Sequence, residues 1–388
     1  MPATLKLPRR DGMLGPYTLT GRPPIFAPPG PIKSRIGMAA VHVVADPLAP
    51  INPTLEVALD WDATLRYRHY VWSLGLAVAE AMDTSQRGMG FDWRTAKELI
   101  RRSVAEAKTV AGAVLASGAG TDHLEPGARV TIADVEAAYE EQCAWIEGCG
   151  GRIILMASRA LAACAKEPAD YLKVYGRMLS QVREPVIIHW LGDMFDPALE
   201  GYWGSLDLDQ ATETLLTIVK EHAAKIDGVK ISLLDQAREV AMRKRFPAGV
   251  RMYTGDDFDY PTTIRGDGDR HSDALLGIFD VIAPAASAAL KALDAADVTR
   301  YNDVLAPTLT LSRLIFGAPT RFYKTGVVFA AYLNGHQSHF RMVGGQESAR
   351  SVVHLSEQFV LMDRAGLFRD PDTAAARMRR VLAVAGVE

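Results

Sequence analysis

A chain of 388 residues with 48% hydrophobic content can bury one large core or two ordinary ones. Its 43 Lys and Arg against 46 Asp and Glu leave a formal net charge of -3, which gives no basic footprint for nucleic acid or an anionic membrane surface. Three cysteines, Cys143, Cys149 and Cys164, with no CxxC pair argue against a disulfide framework and a zinc ribbon, and they are expected to be idle thiols.

The first 35 residues are basic and crowded with proline: Pro2, Pro8, Pro16, Pro23, Pro24, Pro28, Pro29 and Pro31. Proline breaks helices and cannot donate to a ladder, so residues 1–35 are expected to form an extended arm that wraps the barrel or a neighbouring subunit. The segment lacks the apolar stretch of a secretory signal, and no later run reaches the roughly 18 uncharged residues of a membrane span. A cytoplasmic location is expected.

Short apolar runs then alternate with amphipathic stretches. The runs are Gly37–Ala45, Leu76–Met82, Val110–Ala116, Arg152–Ala157, Pro185–Trp190, Gly228–Ile231, Val250–Tyr253 and Ile278–Ala283. Helical patterns lie between them at Trp93–Ala107, Ile132–Glu147, Pro168–Gln181, Leu208–Lys225 and Leu234–Arg245. Eight such units predict a parallel sheet closed as a (β/α)8 TIM barrel over residues 36–295. An open doubly wound sheet would need a glycine fingerprint after the first strand, and His42–Asp46 has none. From Pro284 onward the pattern is helical throughout, giving a C-terminal helical extension over residues 296–388.

In such a barrel the chemistry sits at the C-terminal ends of the strands. Lys230 interrupts the sixth run. Side chains alternate faces along a strand, so if Val229 and Ile231 face the helices, Lys230 faces the barrel interior. An ammonium there loses hydration and its pKa falls, which makes the amine a nucleophile toward aldehydes and ketones. Pairing with an interior carboxylate, for which Glu80 is available, would instead make it structural. His189 ends the fifth run and suits proton transfer near neutral pH, or a hydrogen bond into the rim. Asp83 and Thr84 follow the second run, Ser232 the sixth, and Tyr253, Asp256 and Asp257 the seventh. These six are the candidate substrate-binding groups, although an aspartate after Gly255 also suits a turn.

On these residues the chain resembles the dihydrodipicolinate synthase / N-acetylneuraminate lyase family of class I aldolases. The resemblance spans Ile36 to Gly335. It rests on the order of Leu206–Thr217, Ile226–Ser232 around the lysine, Tyr253–Asp257, Asp280–Pro284 and Tyr323–Gly335. It implies a barrel with helices appended, assembled as a dimer or tetramer and needing no cofactor. It also implies a Schiff base between Lys230 and a small 2-oxo acid or keto sugar, serving an aldolase, lyase or dehydratase reaction. The pattern departs from the family in three places. His189 stands where the family has a proton-relaying tyrosine. Ala81–Gln86 replaces a Gly-Thr-Thr-Gly-Glu stretch, and the acidic Asp83 there would repel a substrate carboxylate. Met194–Ser205, carrying Tyr202 and Trp203, is extra and available as a lid.

Two other readings fit the same barrel. One is a metal-dependent sugar isomerase or epimerase, with a divalent ion on His123, His189, Asp193 and Asp256. Those residues have no tight ligand spacing. The other is a barrel that binds a ligand without turning it over.

Overall fold

The computed structural model describes residues 2–387. Strands β1 (Thr4–Pro8) and β2 (Leu14–Thr18) pair antiparallel, with Thr4 opposite Thr18. The extended arm expected over residues 1–35 therefore begins as a hairpin. Both strands of a two-stranded ribbon are edges, so Pro8 and Pro16 forfeit little there. Leu5, Leu7 and Leu19 are buried, and Tyr17 donates to Asp363 Oδ2 at 2.6 Å, fastening the ribbon to the last helices. After the hairpin the backbone runs without regular structure, held by Lys33 N–H and Ser34 N–H donating to the Asp294 carboxylate.

The barrel follows. Its strands are β3 (Gly37–Ala40), β4 (Ala77–Glu80), β5 (Leu115–Ala119), β6 (Arg152–Leu155), β7 (Val186–Leu191), β8 (Ile226–Ser232), β9 (Arg251–Thr254) and β10 (Asp273–Leu276). All are parallel to their neighbours in chain order, and β10 closes on β3 with Ala274 opposite Gly37. The helices around it are α1 (Trp61–Ser73), α2 (Trp93–Ala107), α3 (Ile132–Gly148), α4 (Arg159–Cys164), α5 (Pro168–Gln181), α6 (Leu208–Glu221), α7 (Gln236–Arg243), α8 (Tyr260–Arg265), α9 (Ile278–Val281) and α10 (Ala283–Asp294). Four more follow: α11 (Val298–Ile315), α12 (Tyr323–Leu333), α13 (Val352–Arg364) and α14 (Pro371–Val384).

Local chemistry sets many helix starts. The Asp60, Asp92, Asp207 and Asp297 side chains accept N–H groups of the first turn, and Thr131 with Asp134 forms a reciprocal capping box. Pro168 opens α5, where its missing N–H costs nothing. The eighth strand differs from expectation. The run Ile278–Ala283 is helical, and the strand is the four-residue Asp273–Leu276 before it. A short continuous apolar run has no periodicity to separate a strand from a buried helix.

The strand alternation sorts two cores. Met38, Ala40, Ala77, Ala79, Ala116, Ile154, Ile187, Tyr253 and Leu275 fill the barrel axis. Val78, Ile153, Ile188, Val229 and Ile231 face the helices, each such buried side chain contributing roughly 1.5–3 kcal/mol.

Candidate active site

Val229 and Ile231 pack outward, so Lys230 and Ser232 project into the barrel. In register, Lys230 stands between His189 on β7 and Tyr253 on β9. Lys230 is 7% exposed and has no ion pair within the described residues. Burial lowers its pKa, and the charges of Asp83 and Asp257 offset part of that. Room for its side chain comes from the next strand. A Cβ on Gly255 would lie 2.2 Å from Ser232 Oγ and 2.9 Å from Lys230 Cε. Glu80, the available partner, is turned the other way. It accepts from Arg68 Nε and Nη2 at 2.9 and 2.8 Å and from Ser103 Oγ at 2.6 Å.

His189 is fully buried. Its Nε2 is 3.1 Å from Ser232 Oγ, while Nδ1 has no hydrogen bond and lies 3.8 Å from Asp83 Oδ2. Burial, and then the charge of Lys230, lower its pKa well below the usual histidine value, so the ring is neutral at pH 7. A neutral imidazole with one free nitrogen can accept a proton.

Asp83 and Thr84 sit on a single 3-10 turn after β4. The turn follows Ala81, whose φ of 52° is left-handed and unfavourable for a residue with a Cβ. Thr84 Oγ1 is 2.9 Å from the Tyr323 hydroxyl, and Ser85 Oγ donates to Val41 O. Tyr323 opens α12, stacks on Phe316 at 4.4 Å and is held protonated by burial. The C-terminal helices thus supply part of the mouth. Tyr323 lies far from the barrel strands in sequence and was not among the expected site residues.

Asp257 Oδ1 accepts Ile278 N–H at 2.9 Å, and burial pushes its pKa up to about 7. Asp256 Oδ1 accepts Phe258 N–H, while its Oδ2 is buried without a partner. Burial raises the Asp256 pKa too. Tyr253 does not join this group. Its hydroxyl donates to Asp227 Oδ2 at 2.7 Å, near the start of β8 and away from the mouth. The alternation of faces is correct for Tyr253, but a long side chain can lean along the strand. Another group had no sequence signal. His42 is buried with Nδ1 2.8 Å from Asp280 Oδ2 and Nε2 unpartnered.

A cavity of ≈ 530 Å³ opens above these residues, walled by Asp83, Arg159, Phe195, Asp196, Tyr323 and Lys324 among others. A second, of ≈ 180 Å³, shares Asp83, Arg87, Arg159 and Asp196 with it and extends toward Thr121 and Asp122. Neither Lys230 nor His189 lines either space; Asp83 bridges from the cavities to His189. Tyr202 and Trp203 of the Met194–Ser205 segment are not lid residues. They are buried against Tyr171 and Tyr175, and the Tyr202 hydroxyl accepts Ser158 N–H. Phe195 to Ala198 of that segment reach the cavity instead.

The candidate metal ligands do not converge. His123 lies 3.3 Å from Glu141 of α3, and Asp193 is exposed. Among the described residues no three His, Cys, Asp or Glu side chains are placed to share an ion. Nor is any described helix long and apolar enough to cross a membrane.

Several solved structures share this fold. Dihydrodipicolinate synthase from Aquifex aeolicus is similar at 13% identity, with 91% of this chain and 98% of that chain covered and a TM-score of 0.60. YagE, a prophage protein belonging to the dihydrodipicolinic acid synthase family from E. coli K12 and determined in complex with pyruvate, is 14% identical. It covers 86% of this chain and 99% of its own at a TM-score of 0.65. The 4-hydroxy-tetrahydrodipicolinate synthase from Methylacidiphilum fumariolicum SolV is 12% identical over 91% of this chain and 99% of that one, at a TM-score of 0.62. At such identities the likeness is one of fold. No curated protein matches the sequence. A family model described as "Protein of unknown function (DUF993)" matches residues 5–387, and the chain belongs to that family.

Proposed function

We propose that this protein is a Schiff-base-forming lyase or aldolase acting on a small 2-oxo acid or keto sugar through Lys230. The observation that carries this reading is a lysine on the inner face of a barrel strand, buried, without a carboxylate partner, in space that Gly255 keeps open. An amine attacks a carbonyl only in its neutral form, and burial enlarges that fraction near pH 7. Attack of Nζ on the carbonyl carbon gives a carbinolamine. Protonation of its hydroxyl releases water and leaves an iminium. The iminium draws electrons from the adjacent carbon, so a proton or a carbon fragment can leave while its bonding pair forms an enamine.

Protons must be carried at each stage. His189 takes that role, with one nitrogen on Ser232 and the other facing Asp83. Asp83 and Thr84, the latter held by Tyr323, orient the substrate through its hydroxyl groups as it passes toward the lysine, the charge of Asp83 turning any carboxylate away from that side. The unpartnered Asp256 Oδ2 and the neighbouring Asp257 accept substrate hydroxyls. The metal-dependent alternative draws no support from the placement of His123 and Asp193.

YagE was determined with pyruvate, which makes pyruvate the first oxo acid to test. An imine–enamine cycle exchanges its methyl protons with solvent even when no second substrate is known. Deuterium wash-in to pyruvate followed by proton NMR is therefore the test, extended to other 2-oxo acids and keto sugars. The wild type is expected to accelerate exchange for at least one of them and Lys230→Met to show none. Equal exchange by the two proteins would overturn the reading.

A further inference from the structure

The ≈ 530 Å³ cavity outside Lys230 has an excess of positive charge. Arg87, Arg159, Arg321 and Lys324 line it against two carboxylates, Asp83 and Asp196. Two of the cations are already engaged. Arg87 Nε donates to Asp122 at 2.7 Å and Nη2 to Gln142 at 2.8 Å, and Arg159 pairs with Asp196. Arg321 and Lys324 have no ion pair among the described residues. Lys324 is 5% exposed, and its Nζ reaches only Met89 Sδ at 3.1 Å and Arg321 O at 3.2 Å. A thioether and a backbone carbonyl do not neutralise an ammonium. Burial lowers the Lys324 pKa to about 8, which still leaves it mainly cationic at pH 7.

Breaking or omitting one partner of a buried charge is costly, so such a group is a functional-site candidate. Lys324 also follows directly on Tyr323, whose hydroxyl meets Thr84 beside Asp83. The cationic wall and the Thr84–Asp83 edge of the mouth therefore meet at one turn of chain. We propose that Lys324 and Arg321 bind a distal anionic group of the substrate, a carboxylate or a phosphate, so that the molecule joined to Lys230 is a 2-oxo acid with a second acidic end. The half concerning Lys230 rests on the Schiff-base reading; the anion site does not. A neutral keto sugar would leave Lys324 only the more distant charges of Asp83 and Asp196, the second of which is already paired with Arg159.

Isothermal titration of the full chain with succinate and with inorganic phosphate tests the site without any imine. The wild type is expected to bind at least one, and the tighter ion identifies the kind of group. Lys324→Met is expected to weaken binding by about tenfold or more, the worth of a charge-assisted hydrogen bond. Arg321→Gln, at an exposed position, is expected to weaken it by less and serves if the buried variant melts early. No binding of either ion, or unchanged affinity in both variants, would overturn the proposal. Borohydride trapping with 2-oxoglutarate against 2-oxobutanoate links the two halves. The dianion is expected to trap at about tenfold lower concentration in the wild type, a preference that collapses in Lys324→Met. Ion binding without trapping of any acid would sink the imine and leave the anion site. Trapping without ion binding would do the reverse.

Discussion

Glu80 and Lys230 are both charged residues in short apolar barrel strands, one facing the helices and the other the barrel axis. Glu80 accepts four donors: Arg68 Nε and Nη2, Ser103 Oγ and Ala81 N–H. Arg68 in turn donates to the His42 and Thr64 carbonyls, and both side chains of the pair are fully buried. Lys230 has none of this; beside it His189 Nδ1 is left without a partner, and so is Asp256 Oδ2 just past the end of the next strand. A buried charge whose lone pairs and protons are all met fastens elements together. One that is left short costs stability, and the mouth holds several at once. The contrast separates the layer that maintains the barrel from the layer poised for a ligand.

The largest test of that contrast is Lys230→Met. Exchange of oxo-acid protons is expected to fall to the uncatalysed rate while the melting temperature holds or rises, since an unpaired buried charge has been replaced by an apolar side chain. Next comes His189→Ala, for which the exchange rate is expected to drop roughly 10²- to 10⁴-fold, the usual contribution of a proton-transfer group. Glu80→Ala should show the opposite profile. It leaves the buried Arg68 uncompensated, so urea unfolding is expected to report a loss of about 3–5 kcal/mol while the folded fraction still forms adduct. A melting temperature near that of the wild type would break the comparison at its structural end.

The pH dependence sharpens it further. Lys230 has to be neutral to attack, so the exchange rate is expected to rise with pH and level off below 10.5, the value of an ordinary lysine. The stability contributed by His189 runs with the same sign on the acid side. His189 has a folded-state pKa well below 6.5, so between the two values the unfolded chain binds more protons than the native one. Its contribution is intact above about 6.5 and is lost as pH falls below that. The wild-type denaturant midpoint minus that of His189→Phe, followed from pH 7 downward, isolates this contribution from those of Asp256 and Asp257, whose raised pKa values run the other way; a difference that moved in the wild type's favour on acidification would contradict it. The smallest effect is Ala81→Gly. Glycine tolerates a φ of 52°, and a gain on the order of 1 kcal/mol is expected in thermal melts.

Much of the frame was readable in the sequence because it is periodic. Helices at Trp93–Ala107 and Pro168–Gln181 fall where the 3.6-residue pattern places them, each beginning at a recognisable start signal. The inward Lys230 followed from the two-residue alternation of its strand. The hairpin at the N-terminus was hidden by its prolines, which a lone ribbon tolerates and a central strand would not. The third barrel strand lies later than Val110–Ala116, at Leu115–Ala119, because an apolar run does not show where pairing begins. The mouth was only half legible. Asp83, His189 and Ser232 lie at, just before or just past strand ends, and position alone suggested them. Tyr323 and Lys324 come from the helix after a long excursion, and the pairing of Glu80 with Arg68 joins a strand to a helix. No local pattern encodes those meetings.

The central claim is that one particular lysine forms the imine. The most direct measurement is peptide mapping by mass after borohydride reduction of the wild type with pyruvate and a panel of further 2-oxo acids and keto sugars. The account predicts a single reduced adduct on the peptide carrying Lys230, absent without the carbonyl compound. An adduct on Lys324 instead, adducts spread over exposed lysines, or none with any compound in the panel would contradict it.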